Sequence, residues 1–215
     1  MIAGLTEELP PAPRLALAYA PVRTRALLLP LLALDGRLAA ILRKRREVVL
    51  VQVRLAWWRD LLAQPVAQWP KGDQLLDGLA RWRDPAALVP LVDGWESLLA
   101  DDLTPGMIAD FSNGRAQAFA ALAQELGAGD PAAADAAGRV WALADLAANL
   151  SDAEERQSVV EHALSLPVPP RLPRSLRPLA VLATLGRHAL EQGSGPLLSG
   201  PKSAWLALRS GWLGR

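Results

Sequence analysis

The chain of 215 residues contains no cysteine and only two histidines. Without cysteine there can be no disulfide bond, no thiolate metal site and no cysteine nucleophile, and such a composition fits a reducing, cytoplasmic environment. The histidines, His162 and His188, stand alone, without a second histidine at ligand spacing. We therefore assign no catalytic residue and no metal ligand from these residue types.

Long hydrophobic runs and an excess of one charge are also absent. The longest apolar run, residues 26–34, contains Pro30 and is much shorter than the roughly 20 residues that cross a bilayer. The first residues, including the acidic and proline-rich EELPPAP, show no secretory signal. The 23 basic and 22 acidic side chains leave a net charge of +1, which gives no global field for nucleic acid. We expect a cytoplasmic protein, soluble or peripheral to a membrane, that does not bind nucleic acid.

What is abundant is Ala and Leu, within a composition that is 51% hydrophobic. Because strong helix formers far outnumber strand formers, the sequence predicts an all-α protein with one hydrophobic core. We divide it into a flexible lead-in at 1–13, a helical domain at 14–192, and a tail or short helix at 193–215. The tail carries Trp and Arg together, and it can either lie at a membrane surface or form the last packed helix.

Several helix boundaries can be predicted from capping residues. Thr104 and Gly127 should cap the two ends of a helix over 107–126, and Asp130 with Pro131 should start the next one. Residues 166–178 hold five prolines and are expected to form an extended connector or a disordered loop. In the segment AWWRDLL, the spacing of Trp57, Leu61 and Leu62 predicts one common face.

Three stretches of the chain, in this order, resemble the squalene/phytoene synthase family. They are LAYAPVRTRALLLPLLALD with RLAWWRDLL, then LVDGWESLLADD with IADFSNGRAQAFAALAQELG, then GRVWALADLAANLSDAEE. The resemblance spans roughly residues 17–155 and implies a single-domain, isoprenoid-synthase-like helical bundle. Members of this family join two prenyl diphosphates head to head, and carboxylate pairs at i and i+4 hold the magnesium ions that neutralise the diphosphate.

The first aspartate motif of the family has no counterpart here. Depending on the anchor, it falls on residues 42–46 or on residues 39–43, and neither segment contains a carboxylate. The nearest candidate is Asp35, which has no second carboxylate four positions away. The basic run RKRR at 43–46 stands in or beside this place, and we interpret it as a solvated helix end or loop, with contact to phosphate or anionic lipid as the alternative.

The second motif falls on residues 148–153, where only Asp152 keeps a carboxylate, or three residues further on, where Asp152 and Glu155 are used but Arg156 stands at the last position. Asp145 and Asn149 form an i, i+4 pair on the same helix, and Asp145 and Asp152 are seven residues apart. Arg25 resembles the arginine that follows the proline turn of the family. The candidate substrate-binding residues implied by the resemblance are therefore Arg25, Asp145, Asn149 and Asp152.

Two further positions differ from the family. Phe111 stands where the family has a tyrosine, and Gln117 replaces a glycine that lets two helices approach each other.

Together these departures predict a family member without enzymatic activity that acts as a binding or assembly module, as in the branch of the family that includes a complex I assembly factor. Its partners would be an isoprenoid or lipid ligand, another protein, or a membrane surface, and no cofactor is expected. The alternative is an active prenyl diphosphate transferase with a rearranged magnesium site, which requires Asp35, Asp145 and Asp152 to converge. A helical scaffold unrelated to isoprenoids is a third, less favoured hypothesis.

Overall fold

The computed structural model describes residues 3–43, 48–100, 102–193, 195–198 and 200–213. In these residues the chain is helical and contains no strand, which confirms the predicted all-α, single-domain class. The helices are α1 Ala3–Glu7, α2 Pro11–Leu17, α3 Val22–Arg43, α4 Val48–Ala63, α5 Gln74–Leu79, α6 Val89–Ser97, α7 Pro105–Leu126, α8 Pro131–Asn149, α9 Ala153–Ser165, α10 Arg177–Glu191 and α11 Gly200–Leu213. None of them is both long enough and apolar enough to cross a bilayer.

The predicted caps of α7 and α8 are present. The Thr104 hydroxyl accepts a hydrogen bond from the backbone N–H of Met107 at 3.3 Å, and Asp130 accepts one from that of Ala132 at 2.9 Å. Gly127 ends α7 with a φ of 59°, a left-handed conformation that favours glycine. These local signals place two long helices of the bundle, which pack against each other.

α6 also contacts α7, and two glycines let the two backbones approach each other. A Cβ atom added to Gly114 would lie 2.2 Å from the carbonyl oxygen of Pro90, and one added to Gly94 would lie 3.1 Å from that of Phe111. We expected Gln117 to mark a lost close approach of two helices. The approach exists instead at Gly114, nearly one turn earlier, because both helices present a residue without a side chain there.

The lead-in predicted at residues 1–13 is wrong for the part that the structure describes. Residues 3–7 and 11–17 are helical, and Leu5, Leu9 and Ala12 are buried in the core. The Arg14 guanidinium donates hydrogen bonds of 2.8 Å to the carbonyl oxygens of Glu7 and Leu9. Prolines fit here because they lie in the first turn of α2, where the backbone N–H has no helical partner.

The C-terminal segment includes a helix, α11, which packs on α10 and touches α2. Its inner face buries Ala207 and Ser210, while Trp205 and Leu208 are exposed. A Cβ atom at Gly211 would lie 2.2 Å from the Tyr19 ring, so this glycine allows the close contact. The tail was predicted either to lie at a membrane surface or to form the last packed helix, and in the structure it forms a packed helix.

The proline-rich connector before α10 is folded rather than disordered. Leu172 and Leu176 are buried, and residues 174–176 form a single 3-10 turn that leads into α10. The Arg187 side chain of α10 donates a hydrogen bond of 3.2 Å to the Leu166 carbonyl oxygen. The prolines prevent a continuous helix here, but the buried leucines between them hold the segment against the core.

In α4 the three residues predicted to share a face, Trp57, Leu61 and Leu62, differ in their exposure. Trp58 is 4% exposed and packs inward with Leu61 and Leu62, whereas Trp57 is 47% exposed. Trp58 lies three and seven residues after Leu55 and Val51, which are also buried, so the stripe follows the helical period from there. Pro30 lies buried within α3. The residues of the basic run after Arg43 lie outside the described part.

Candidate functional site

A cavity of about 600 Å³ opens between α3, α6, α7 and α8. This volume lies within the range of small-molecule sites in proteins, roughly 300 to 1,000 Å³. Its apolar wall comprises Leu32, Ala39, Leu42, Leu98, Leu103, Met107, Phe111, Trp141, Leu146 and Leu150. The charged and polar lining consists of Asp35, Arg43, Arg115, Asp145, Asn149, Ser151 and Glu155.

At the floor of this cavity, the side chain of Arg115 on α7 is 1% exposed and forms a two-pronged ion pair with Asp35 on α3. Its Nε and Nη2 atoms donate to Asp35 Oδ1 and Oδ2 over 3.1 and 2.9 Å. The indole Nε1 of Trp95 donates a third hydrogen bond, of 2.8 Å, to Oδ1. Asp35 therefore acts only as an acceptor here, as an ionised carboxylate does.

Arg115 also bridges to a second carboxylate. Its Nη1 donates to Asp145 Oδ2 on α8 over 2.9 Å, so one guanidinium joins α3, α7 and α8. Three rings surround it, with the guanidinium carbon 5.3 Å from the ring centroid of Trp95, 4.9 Å from that of Phe111 and 4.4 Å from that of Trp141. Such contacts favour a desolvated cation. Phe111 thus provides one of the three aromatic faces around the cation.

The pKa values of Asp35 and Arg115 are both raised, but for different reasons. Burial raises the pKa of Asp35 above its ordinary value, and the charge of Arg115 reduces that rise without cancelling it. Burial on its own would lower the pKa of Arg115, but attraction by Asp35 and Asp145 outweighs this, and the net pKa is raised. Arg115 is therefore a permanent cation that stabilises two carboxylates.

Of the four predicted site residues, Asp145 and Asn149 line the cavity and Arg25 and Asp152 do not. The Asn149 side chain donates a 2.8 Å hydrogen bond to the Asp145 carbonyl oxygen. Arg25 is exposed in the first turn of α3, ten residues before Asp35, which corresponds to about 15 Å along the helix axis.

Asp152 is exposed and caps α9, accepting hydrogen bonds of 2.9 Å from the backbone N–H groups of Glu154 and Glu155. Neither Arg25 nor Asp152 lines the cavity, and a role of these residues in substrate binding stays a prediction. The convergence required for a rearranged metal site takes place for Asp35 and Asp145, which meet on Arg115, and not for Asp152. In the described part of the chain, no three His, Asp or Glu side chains are grouped as a metal site.

Comparison of the chain with protein-family models, with curated proteins and with solved structures finds no match. The resemblance to the squalene/phytoene synthases stays a prediction that depends on the stretches quoted for it.

Arg115 and Trp95 were missed as site residues, although the sequence contains a signal for Arg115. Ile108, Phe111, Phe119 and Leu122 form the apolar stripe of α7, and Arg115 lies in the same stripe, four residues after one phenylalanine and four before the other. A buried arginine requires carboxylate partners. Asp35, alone in a leucine-rich helix, has the matching requirement.

A capping role for Asp152 makes a specific prediction. Asp152→Ala is expected to lower the free energy of unfolding by about 1 kcal/mol, because two backbone donors of α9 lose their acceptor. Asp152→Asn keeps an acceptor oxygen and should restore most of that loss. Urea unfolding followed by circular dichroism measures both. Loss of ligand binding without any loss of stability would contradict the capping role and return Asp152 to the site.

Proposed function

We propose that this chain is a non-catalytic relative of the squalene/phytoene synthases, a binding or assembly module whose cavity takes an isoprenoid or another lipid. The observation that carries the proposal is the salt bridge of Arg115 with Asp35 and Asp145 at the floor of the cavity. A transferase of this family needs free carboxylates to hold the magnesium ions of a diphosphate. Here the carboxylates at the floor already bind a protein cation.

The position of the cavity supports the resemblance. Ala39, Leu42 and Arg43, from the two possible places of the first aspartate motif, line one wall. Asn149 and Ser151, from the place of the second motif, also line the cavity. Both segments that would carry the catalytic aspartates thus contribute to one cavity. Their lining side chains are apolar, basic or uncharged polar, apart from Glu155, which belongs to the second motif only when its frame is moved on by three residues.

The alternative, an active prenyl diphosphate transferase, is favoured by one observation, the meeting of Asp35 and Asp145 in one site. It would require Arg115 to release both carboxylates when magnesium and substrate bind. Releasing Arg115 is costly because its side chain is buried among three rings and would lose both partners.

The two functions are separated by incubating the purified full chain with farnesyl or geranylgeranyl diphosphate and Mg²⁺. We expect no release of diphosphate and no hydrocarbon product. Turnover that is abolished by Asp145→Asn would establish the transferase and overturn the non-catalytic function.

Binding by the cavity is tested separately with farnesol, followed by the fluorescence of the tryptophans, two of which line the site. The variant Ala39→Trp places a large ring in the cavity and should abolish binding. Ala56→Trp, at a similarly half-exposed alanine of α4 outside the cavity, is the matched control and should bind normally. Equal binding by both variants, or no binding by the native chain, would overturn the proposed site.

A further inference from the structure

The charged groups around the cavity do not suit an anionic ligand. The lining includes three carboxylates, on Asp35, Asp145 and Glu155, and two guanidinium groups, on Arg43 and Arg115. Among the described lining residues the net charge is therefore −1, within a partly apolar site where interactions between charges are strong.

Arg115 is poorly placed to bind a phosphate. Three of the five N–H groups of a guanidinium are already donated to carboxylates, and the side chain is 1% exposed. A ligand phosphate would have to displace Asp35 or Asp145, leaving a buried carboxylate without its partner. Arg43, at the exposed end of α3, is the other lining cation.

Several polar atoms of the lining are acceptors that keep free capacity for a ligand. The Asp145 side chain is 30% exposed and bonds to Arg115 through Oδ2, so that Oδ1 is the oxygen left for a ligand. Asn149 uses its amide nitrogen on the Asp145 carbonyl oxygen, which leaves its side-chain oxygen as an acceptor. Glu155 adds carboxylate oxygens and accepts only one described hydrogen bond, from the backbone N–H of Leu103.

We propose that the cavity selects an apolar molecule whose polar end is an uncharged or cationic hydrogen-bond donor, such as a prenyl alcohol or amine, and excludes prenyl diphosphates. This inference rests on the proposed function, since it names the class of ligand for the same cavity. Asp145 receives the donor, while the apolar chain lies against the leucines and rings of the wall.

The test compares three probes that share one chain, farnesylamine, farnesol and farnesyl diphosphate, by titration calorimetry of the full protein, with Mg²⁺ and again with a chelator. Farnesylamine is expected to bind about tenfold or more tighter than the diphosphate under both conditions, with farnesol between them. Asp145→Asn removes one charge at nearly constant shape and should reduce the preference for the amine over the alcohol by about tenfold.

Asp135→Asn is the matched control. Asp135 lies on the same helix, is 29% exposed, and pairs with Arg139 outside the cavity, so the order of affinities should not change. Equal or tighter binding of the diphosphate, or an amine preference that Asp145→Asn leaves unchanged, would overturn this inference while leaving cavity binding intact. Failure of all three probes to bind would instead overturn the proposed function itself.

Discussion

Arg115→Met is expected to lower the free energy of unfolding by about 3 to 5 kcal/mol, the usual cost of removing one partner of a buried ion pair. The side chain of Asp35 is 11% exposed, and without Arg115 it would keep only the hydrogen bond from Trp95. Asp145 is more exposed and can be solvated by water, so most of the loss should come from Asp35. Urea unfolding followed by circular dichroism measures the change.

Two variants control this prediction. Asp35→Asn combined with Arg115→Met removes both charges while keeping an acceptor for Trp95, and it should recover much of the lost stability. Arg139→Met breaks an ion pair whose side chains are 26% and 29% exposed, and it should cost about 1 kcal/mol or less. If Arg115→Met costs no more than Arg139→Met, then the buried pair is not a main support of the fold.

Gly114→Ala is expected to lower the free energy of unfolding by about 1 to 3 kcal/mol, the range for overpacked cores. The added Cβ would lie 2.2 Å from the carbonyl oxygen of Pro90 and 3.0 Å from the Cα of Gly94. Both are backbone atoms that cannot rotate away, so α6 has to move from α7. Trp95, which follows Gly94, would move with it, and ligand binding by the cavity should weaken as well.

Gly36→Ala is the matched control because Gly36 also lies inside a long helix. A Cβ atom there would meet nothing within 4 Å. Alanine is a better helix former than glycine, so this substitution should raise the free energy of unfolding by up to about 1 kcal/mol. Thermal unfolding of both variants distinguishes the effects, and a similar change in the two would show that helix propensity, not the approach of α6 and α7, dominates at Gly114.

The candidate site was predictable only in part, and the pattern of successes has a physical reason. Asp145 and Asn149 were named from the resemblance together with their i, i+4 spacing, and this spacing on one helix is a local property of the sequence. Arg25 and Asp152 were named from the resemblance alone, and nothing local shows whether an exposed charge faces a cavity or the solvent. Asp152 even has a strong local role, as a cap, which the acidic residues after it could have indicated.

The sequence by itself determined the helical class, both ends of α7, the start of α8, and the lack of carboxylates at residues 39–46, where the resemblance would place the first aspartate motif. These follow from composition, from capping residues and from spacing within a single helix, so they depend on neighbours a few positions away. The pairing of Arg115 with Asp35, 80 residues earlier, and with Asp145, 30 residues later, was decided only by the tertiary structure. The direction of each side chain toward another helix depends on how α3, α7 and α8 are rotated and packed. That packing makes a carboxylate that stands alone in the sequence part of a buried ionic network.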